Sequence, residues 1–154
     1  MNSDWLDLLR EMERAGVRYL LVGAHAIAAH GIPRATRDID FWIDPEAENA
    51  MRVWEALLRF GAPLGALGIS ERDVRTPGTV LQFGVMPNRI DLMTSISGLD
   101  RFADAWERRV MTELGDVAVP VLSLEDLRAT KRASGRKRDL LDLEMLDELD
   151  SRGG

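Results

Sequence analysis

Near the N-terminus, apolar residues recur at helical spacing. Trp5, Leu8, Leu9 and Met12 fall on one stripe, behind a capping Ser3 and ahead of a stop at Gly16. Residues 17–22 then form a nearly continuous β-prone apolar run, the pattern of a buried strand. That run ends at Gly23-Ala24, where an alanine-rich stretch over 24–30 predicts a short helix, broken by Gly31-Ile32-Pro33. Residues 38–43 read as a second strand in which Ile39, Phe41 and Ile43 alternate with Asp38 and Asp40. Asp44-Pro45 is a cap followed by a first-turn proline, opening a helix with Met51, Trp54, Leu57 and Leu58 inward. Residues 61–77, rich in glycine and proline, read as loop. Residues 80–85 and 89–94 predict two strands around the turn Met86-Pro87-Asn88, and residues 109–113 and 117–122 a further pair around Gly115-Asp116. Two helices close the chain, one capped by Ser123 and one starting near Arg136, parted by Ser134-Gly135. The expected fold is α+β: a mixed β-sheet flanked by helices, with a C-terminal helical pair, in a single domain over residues 1–154.

Composition narrows the chemistry. The 154 residues include no cysteine, which excludes disulfides, zinc–thiolate clusters and thiol catalysis, and only two histidines, which argues against a histidine metal cage. No apolar run approaches the ~20 residues that span a bilayer, and the N-terminus opens like a helix cap rather than a signal peptide, so a cytoplasmic protein without membrane contact is expected. The net charge of -6, from 20 basic and 26 acidic residues, argues against a general nucleic-acid coat. It conceals an uneven distribution. Residues 131–138 hold five bases (Lys131, Arg132, Arg136, Lys137, Arg138) and no acid, whereas residues 139–150 hold six acids and no base.

The most informative feature is Asp38-Ile39-Asp40. Strand residues two apart share a face about 6.5–7 Å along the strand, so both carboxylates can bracket a divalent cation while Ile39, Phe41 and Ile43 meet the core. Asp91, in Arg89-Ile90-Asp91-Leu92-Met93, is again an acid interrupting an apolar run. Three such acids on adjacent strands repel unless a cation neutralises them, and hard oxygen donors select Mg²⁺ or Mn²⁺, which carries substrate phosphates. Alone, an Asp-x-Asp pair also marks strand edges and capping turns; its place inside a strand, with a third strand acid later, favours the metal site. Gly23, at a strand-to-helix turn, lets a phosphate approach the backbone. His25 and His30 are five apart and do not share a helix face well, which favours packing or helix-surface roles. Arg34 and Arg37 flank the acids and can hold a triphosphate or simply balance the carboxylates. Lys131 can contact nucleotide or RNA, countering charge on a leaving pyrophosphate, or form only a solvated helix face. Arg136 to Arg138 can pair with the acids that follow.

Taken together, the strand, glycine turn, helix, Asp-x-Asp strand and later third acid resemble the nucleotidyltransferase superfamily (the DNA polymerase β-like fold). More narrowly, the stretch from Tyr19 to Asp40, with Gly23-Ala24 at the turn, is similar to the AbiEii-type nucleotidyltransferase toxins and their bacterial relatives. So is the tail, Lys131-Arg-Ala-Ser-Gly-Arg-Lys-Arg-Asp139-Leu-Leu-Asp142. The resemblance implies a nucleotidyltransferase fold and a metal-dependent transfer of a nucleoside monophosphate from an NTP to an acceptor hydroxyl, with pyrophosphate released. Asp38 and Asp40 would hold the Mg²⁺ ions, and Asp91 would complete the acceptor-side ion and help deprotonate the hydroxyl. Gly23 and Ala24 would admit the phosphates, Arg37 and Lys131 would bind them, and Asp139 would complete the site. The implied acceptor is a tRNA 3′ end or a protein side chain, and the implied setting is a toxin–antitoxin pair. Ala24-His25 depart from the family's turn, which often carries a Ser or Thr whose hydroxyl holds phosphate. With the acidic net charge, that departure motivates an alternative: a non-catalytic nucleotidyltransferase-fold interaction protein, or the antitoxin of such a pair.

Overall fold

The computed structural model describes residues 2–153, which fold as a mixed six-stranded sheet with seven helices. The elements run α1 (Ser3–Ala15), β1 (Tyr19–Val22), α2 (Gly23–Ala29), β2 (Asp38–Ile43), α3 (Ala47–Phe60), α4 (Glu71–Arg75), β3 (Val80–Phe83), β4 (Arg89–Met93), α5 (Phe102–Glu107), β5 (Val110–Leu114), β6 (Val117–Val121), α6 (Leu124–Ser134) and α7 (Lys137–Gly153). Strand order is β3-β4-β2-β1-β6-β5. The β2–β4 and β1–β6 pairs are parallel, while β1–β2, β3–β4 and β5–β6 are antiparallel.

All four residues of β1 are buried, as its unbroken apolar run requires of a strand covered on both faces. In β2 the two faces differ. Ile39, Phe41 and Ile43 are fully buried, whereas Asp38 and Asp40 are only partly covered. Helix α1 buries Trp5, Leu8, Leu9 and Met12, the stripe its spacing predicts, each large side chain contributing about 1.5–3 kcal/mol of transfer free energy. Its cap is Asn2 rather than Ser3: the Asn2 Oδ1 accepts from the Asp4 amide at 2.8 Å and the Trp5 amide at 3.4 Å.

Helix α3 departs further from expectation. Glu46, not Asp44, caps it, accepting from the Glu48 and Asn49 amides, while Asp44 is buried and ion-paired with Arg18 at 3.0 Å. The inward face is Asn49, Ala50, Val53, Ala56 and Leu57; Met51 is 62% exposed and Leu58 57% exposed. Asn49 is tolerated inside because its amide donates to the Arg18 and Asp44 carbonyls and its Oδ1 accepts from the Arg18 amide. Residues 61–77, expected as loop, contain the short α4, closed by a reciprocal cap between Ser70 and Asp73. Helix α5, for which the sequence offers no reading, packs Phe102 edge-on against Trp42 at 5.1 Å. Among the described residues no helix is long and apolar enough to cross a membrane.

Two features position the site. The loop after β4 seats directly on α6: a Cβ on Gly98 would lie 2.6 Å from the Ala129 carbonyl oxygen, so only glycine permits this approach. Helices α6 and α7 then fold back on one another around Gly135, in the left-handed conformation at the end of α6.

Candidate active site

Strand register builds the centre of the site. Across the parallel pair β2–β4, Asp38 lies opposite Arg89 and Asp40 opposite Asp91, so the four charged side chains share one face of the sheet. Carboxylate oxygens of Asp38, Asp40 and Asp91 lie within 4.8 Å of one another. Asp91 is 4% exposed; Asp38 and Asp40 open onto a cavity of about 610 Å³. Gly23, at φ +70°, abuts Asp40 from the start of α2: a Cβ there would overlap the Asp40 Oδ2. The glycine is thus needed both for its backbone conformation and to let the carboxylate approach the turn.

This crowding has an electrostatic signature. The Asp40 carboxyl is pushed up to about 7, first by burial, then by the charges of Asp38 and Asp91 and a hydrogen bond with Asp91, with Arg89 acting in the opposite sense. Arg89 bridges the cluster. Its Nη2 donates to Asp38 Oδ2 at 2.7 Å and to Asp91 Oδ2 at 3.2 Å, and its Nε lies 3.1 Å from Asp91 Oδ1. Thr36 closes the other side, its hydroxyl donating to the Asp38 carbonyl at 2.6 Å and approaching Asp38 Oδ1 at 3.2 Å. The donor set fits a hard divalent cation: oxygens only, clustered, and from carboxyls whose ionised forms repel one another.

The far wall of the cavity carries a second charged group. Lys131 Nζ lies 3.2 Å from Asp139 Oδ1 and 3.0 Å from Asp142 Oδ2. Arg136 pairs with Asp139 at 2.7 Å, and Arg34 pairs with Asp142. Burial alone would raise Asp139, but hydrogen bonds from Arg136, Ser134 and Lys131 outweigh it and hold its carboxyl well below the usual carboxylate range. The network ties α6 and α7 to the segment between α2 and β2 and fixes Lys131 at the cavity wall.

Residues 7–153 match the family described as nucleotidyl transferase AbiEii toxin of type IV toxin–antitoxin systems. The chain belongs to that family. Its fold is shared with two solved structures over nearly the full length of each. A lincosamide antibiotic adenylyltransferase, LnuA, with lincomycin bound, is 16% identical, with a TM-score of 0.57, covering 97% of this chain and 98% of its own. A candidate nucleotidyltransferase from Thermotoga maritima is 19% identical, with a TM-score of 0.58, covering 99% of this chain and 96% of its own. No curated protein matches in sequence.

Within this AbiEii-family chain, the structure gathers most of the residues singled out from the sequence. Gly23, Ala24, Arg37, Asp38, Asp40, Lys131 and Asp139 all line the one cavity, with Asp91 against its floor. Lys131 is no solvated helix face, and Asp139 reaches the cavity as the partner of Lys131 and Arg136. The histidines pack instead. His25 meets Trp5 edge-on at 5.0 Å, and burial holds its imidazole below the usual value, against the charge of Asp38. His30 Nε2 contacts the Leu122 carbonyl at 2.9 Å. Sequence reasoning missed Arg89 and Thr36. Arg89 had a usable signal: two residues before Asp91 on one strand, it must share that acid's face.

Proposed function

We propose that this chain is a metal-dependent nucleotidyltransferase that moves a nucleoside monophosphate from an NTP to an acceptor hydroxyl. The observation that carries this reading is the convergence of three carboxylates, from two strands, at the floor of a cavity large enough for a nucleotide.

Asp38, Asp40 and Asp91 would hold Mg²⁺, which when bound neutralises phosphate charge and lowers the pKa of an attacking hydroxyl. Asp91, the most buried of the three, would help deprotonate that hydroxyl. Gly23 and Ala24 leave the backbone at the start of α2 open to phosphate oxygens, the role a turn hydroxyl plays elsewhere in the family. Arg37, exposed at the rim, supplies positive charge to the polyphosphate. Lys131 stabilises charge developing on the leaving pyrophosphate, and its two carboxylate partners keep the ammonium aimed rather than free. An adenylyltransferase with a bound antibiotic shares the fold, so a small hydroxylated molecule joins a tRNA 3′ end and a protein side chain among the acceptors to test.

Incubation with each α-labelled NTP and Mg²⁺, in separate reactions with total tRNA, total protein and a lincosamide, tests the assignment. Label should enter one acceptor class and disappear with EDTA. Failure to label any acceptor, together with no nucleotide binding at millimolar NTP, would instead support a non-catalytic interaction protein or antitoxin.

A further inference from the structure

The charge state of the carboxylate cluster without a metal raises a question of occupancy. Asp38 and Asp91 offer four carboxylate oxygens between them; Asp38 Oδ2 and Asp91 Oδ2 accept from Arg89, whereas Asp91 Oδ1 is buried beside the Arg89 Nε without a hydrogen bond. Arg89 faces three: Asp38 Oδ2 at 2.7 Å, Asp91 Oδ2 at 3.2 Å and Asp91 Oδ1 at 3.1 Å. The Thr36 hydroxyl, which donates to the Asp38 carbonyl at 2.6 Å, lies 3.2 Å from Asp38 Oδ1. A guanidinium does not lose its charge at any working pH, so this partner cannot be titrated away; it can only move.

The backbone of Arg89 is held in the sheet, while its side chain borders the cavity. The residue is in register with Asp38 across β2–β4, and the carbonyl just before it, on Asn88, accepts from Trp5 Nε1 at 3.3 Å. The side chain is a quarter exposed and borders the cavity that Arg37 and Lys131 also line. A cation bridging Asp38 and Asp91 would sit on the carboxylates that Arg89 already pairs with, and two cations on the same carboxylates repel one another.

We infer that Arg89 is a resident counter-ion that competes with the divalent cation for Asp38 and Asp91 and is displaced into the cavity when the metal loads. This rests on the metal-dependent reading of the same site and adds a residue to it. Arg89 is a positioning residue. It holds Asp38 and Asp91 together when no metal is bound, and it makes metal alone a poor ligand. The displaced guanidinium finds a new partner only when an anion fills the cavity, so metal and polyphosphate bind better together than either does alone.

The test is a Mn²⁺ titration of Arg89→Gln and the unaltered protein, with free Mn²⁺ followed by electron paramagnetic resonance, with and without inorganic triphosphate. Arg89→Gln should bind Mn²⁺ about tenfold more tightly than the unaltered protein, the scale of releasing one charge-assisted pair. Triphosphate should shrink that gap, because it gives the native arginine somewhere to go. Arg89→Lys, which keeps the charge but loses the fork, should fall between and serves if the glutamine variant does not fold. An unchanged or weaker Mn²⁺ affinity in the variants overturns the inference, since a purely structural ion pair would loosen the site when cut. If neither protein binds Mn²⁺ at millimolar concentration, the metal-dependent reading fails, and the inference with it.

Discussion

Asp40→Asn should reduce nucleotidyl transfer at least about a thousandfold while leaving the fold intact. Asp40 is central to the cluster: it pairs in register with Asp91, shares its face with Asp38 and abuts Gly23. The amide has nearly the same shape but carries one acceptor oxygen and no charge, so it cannot complete a cation site whose other members are anionic. Folding should survive, because the metal-free protein already favours a neutral group there. The raised value of Asp40, about 7 against an ordinary 3.8, means that the native state binds a proton that the unfolded chain has released across that window. Its stabilising effect is complete below the unfolded value and is lost as pH rises through about 7, a decline on the order of a few kcal/mol in the absence of metal. Denaturant melts of the metal-free protein from pH 4 to pH 8 should show that decline, and Asp40→Asn should flatten it. Full transfer activity in the variant would remove Asp40 from the metal site, and an unaltered slope would assign the decline to another group.

Asp142→Ala carries the largest expected cost in stability, about 3 kcal/mol or more by urea denaturation. Asp142 is 2% exposed and answers both Arg34 and Lys131. Removing it takes Arg34 out of its ion pair and leaves Lys131 with Asp139 alone in a half-buried wall, which is far more costly than losing a surface pair. The Arg59–Glu55 pair, half exposed at both ends on α3, is the internal control, and its removal should change nothing measurable. Asp142→Ala should also weaken NTP binding, because Lys131 and the α6–α7 pair lose their tie to the segment that carries Arg34. Wild-type stability in this variant would mean that the network is ornamental.

Much of this arrangement is legible in the sequence, and for a physical reason. Asp38, Asp40 and Asp91 stand out because each interrupts an apolar strand, where a carboxylate is expensive without a purpose. Strand β2 is read to the residue because Ile39, Phe41 and Ile43 alternate with its two acids, although Trp42 on the acids' face is buried too. The inward face of α3 is misread because bulk misleads: Met51 and Leu58 point to solvent while the small Ala50 and Ala56 pack inside. Helices α4 and α5, at five and six residues, are too short for a periodic pattern to show. The basic run from Lys131 to Arg138 is ambiguous in one dimension. Whether it faces solvent, phosphate or the acids of α7 depends on the reversal at Gly135, and only the folded helical pair brings Lys131 onto Asp139 and Asp142. Arg89 goes unread because a charged residue opening a strand resembles an edge, and its partner Asp38 lies 51 positions away.

The most direct test of the central claim is anomalous diffraction from crystals of the protein with Mn²⁺ and a non-hydrolysable NTP analogue. Manganese peaks are expected within coordination distance of Asp38, Asp40 and Asp91, with the polyphosphate beside Gly23 and Arg89 turned away from Asp38. Manganese absent from these three carboxylates while the analogue occupies the cavity, or an analogue bound outside it, would contradict the claim.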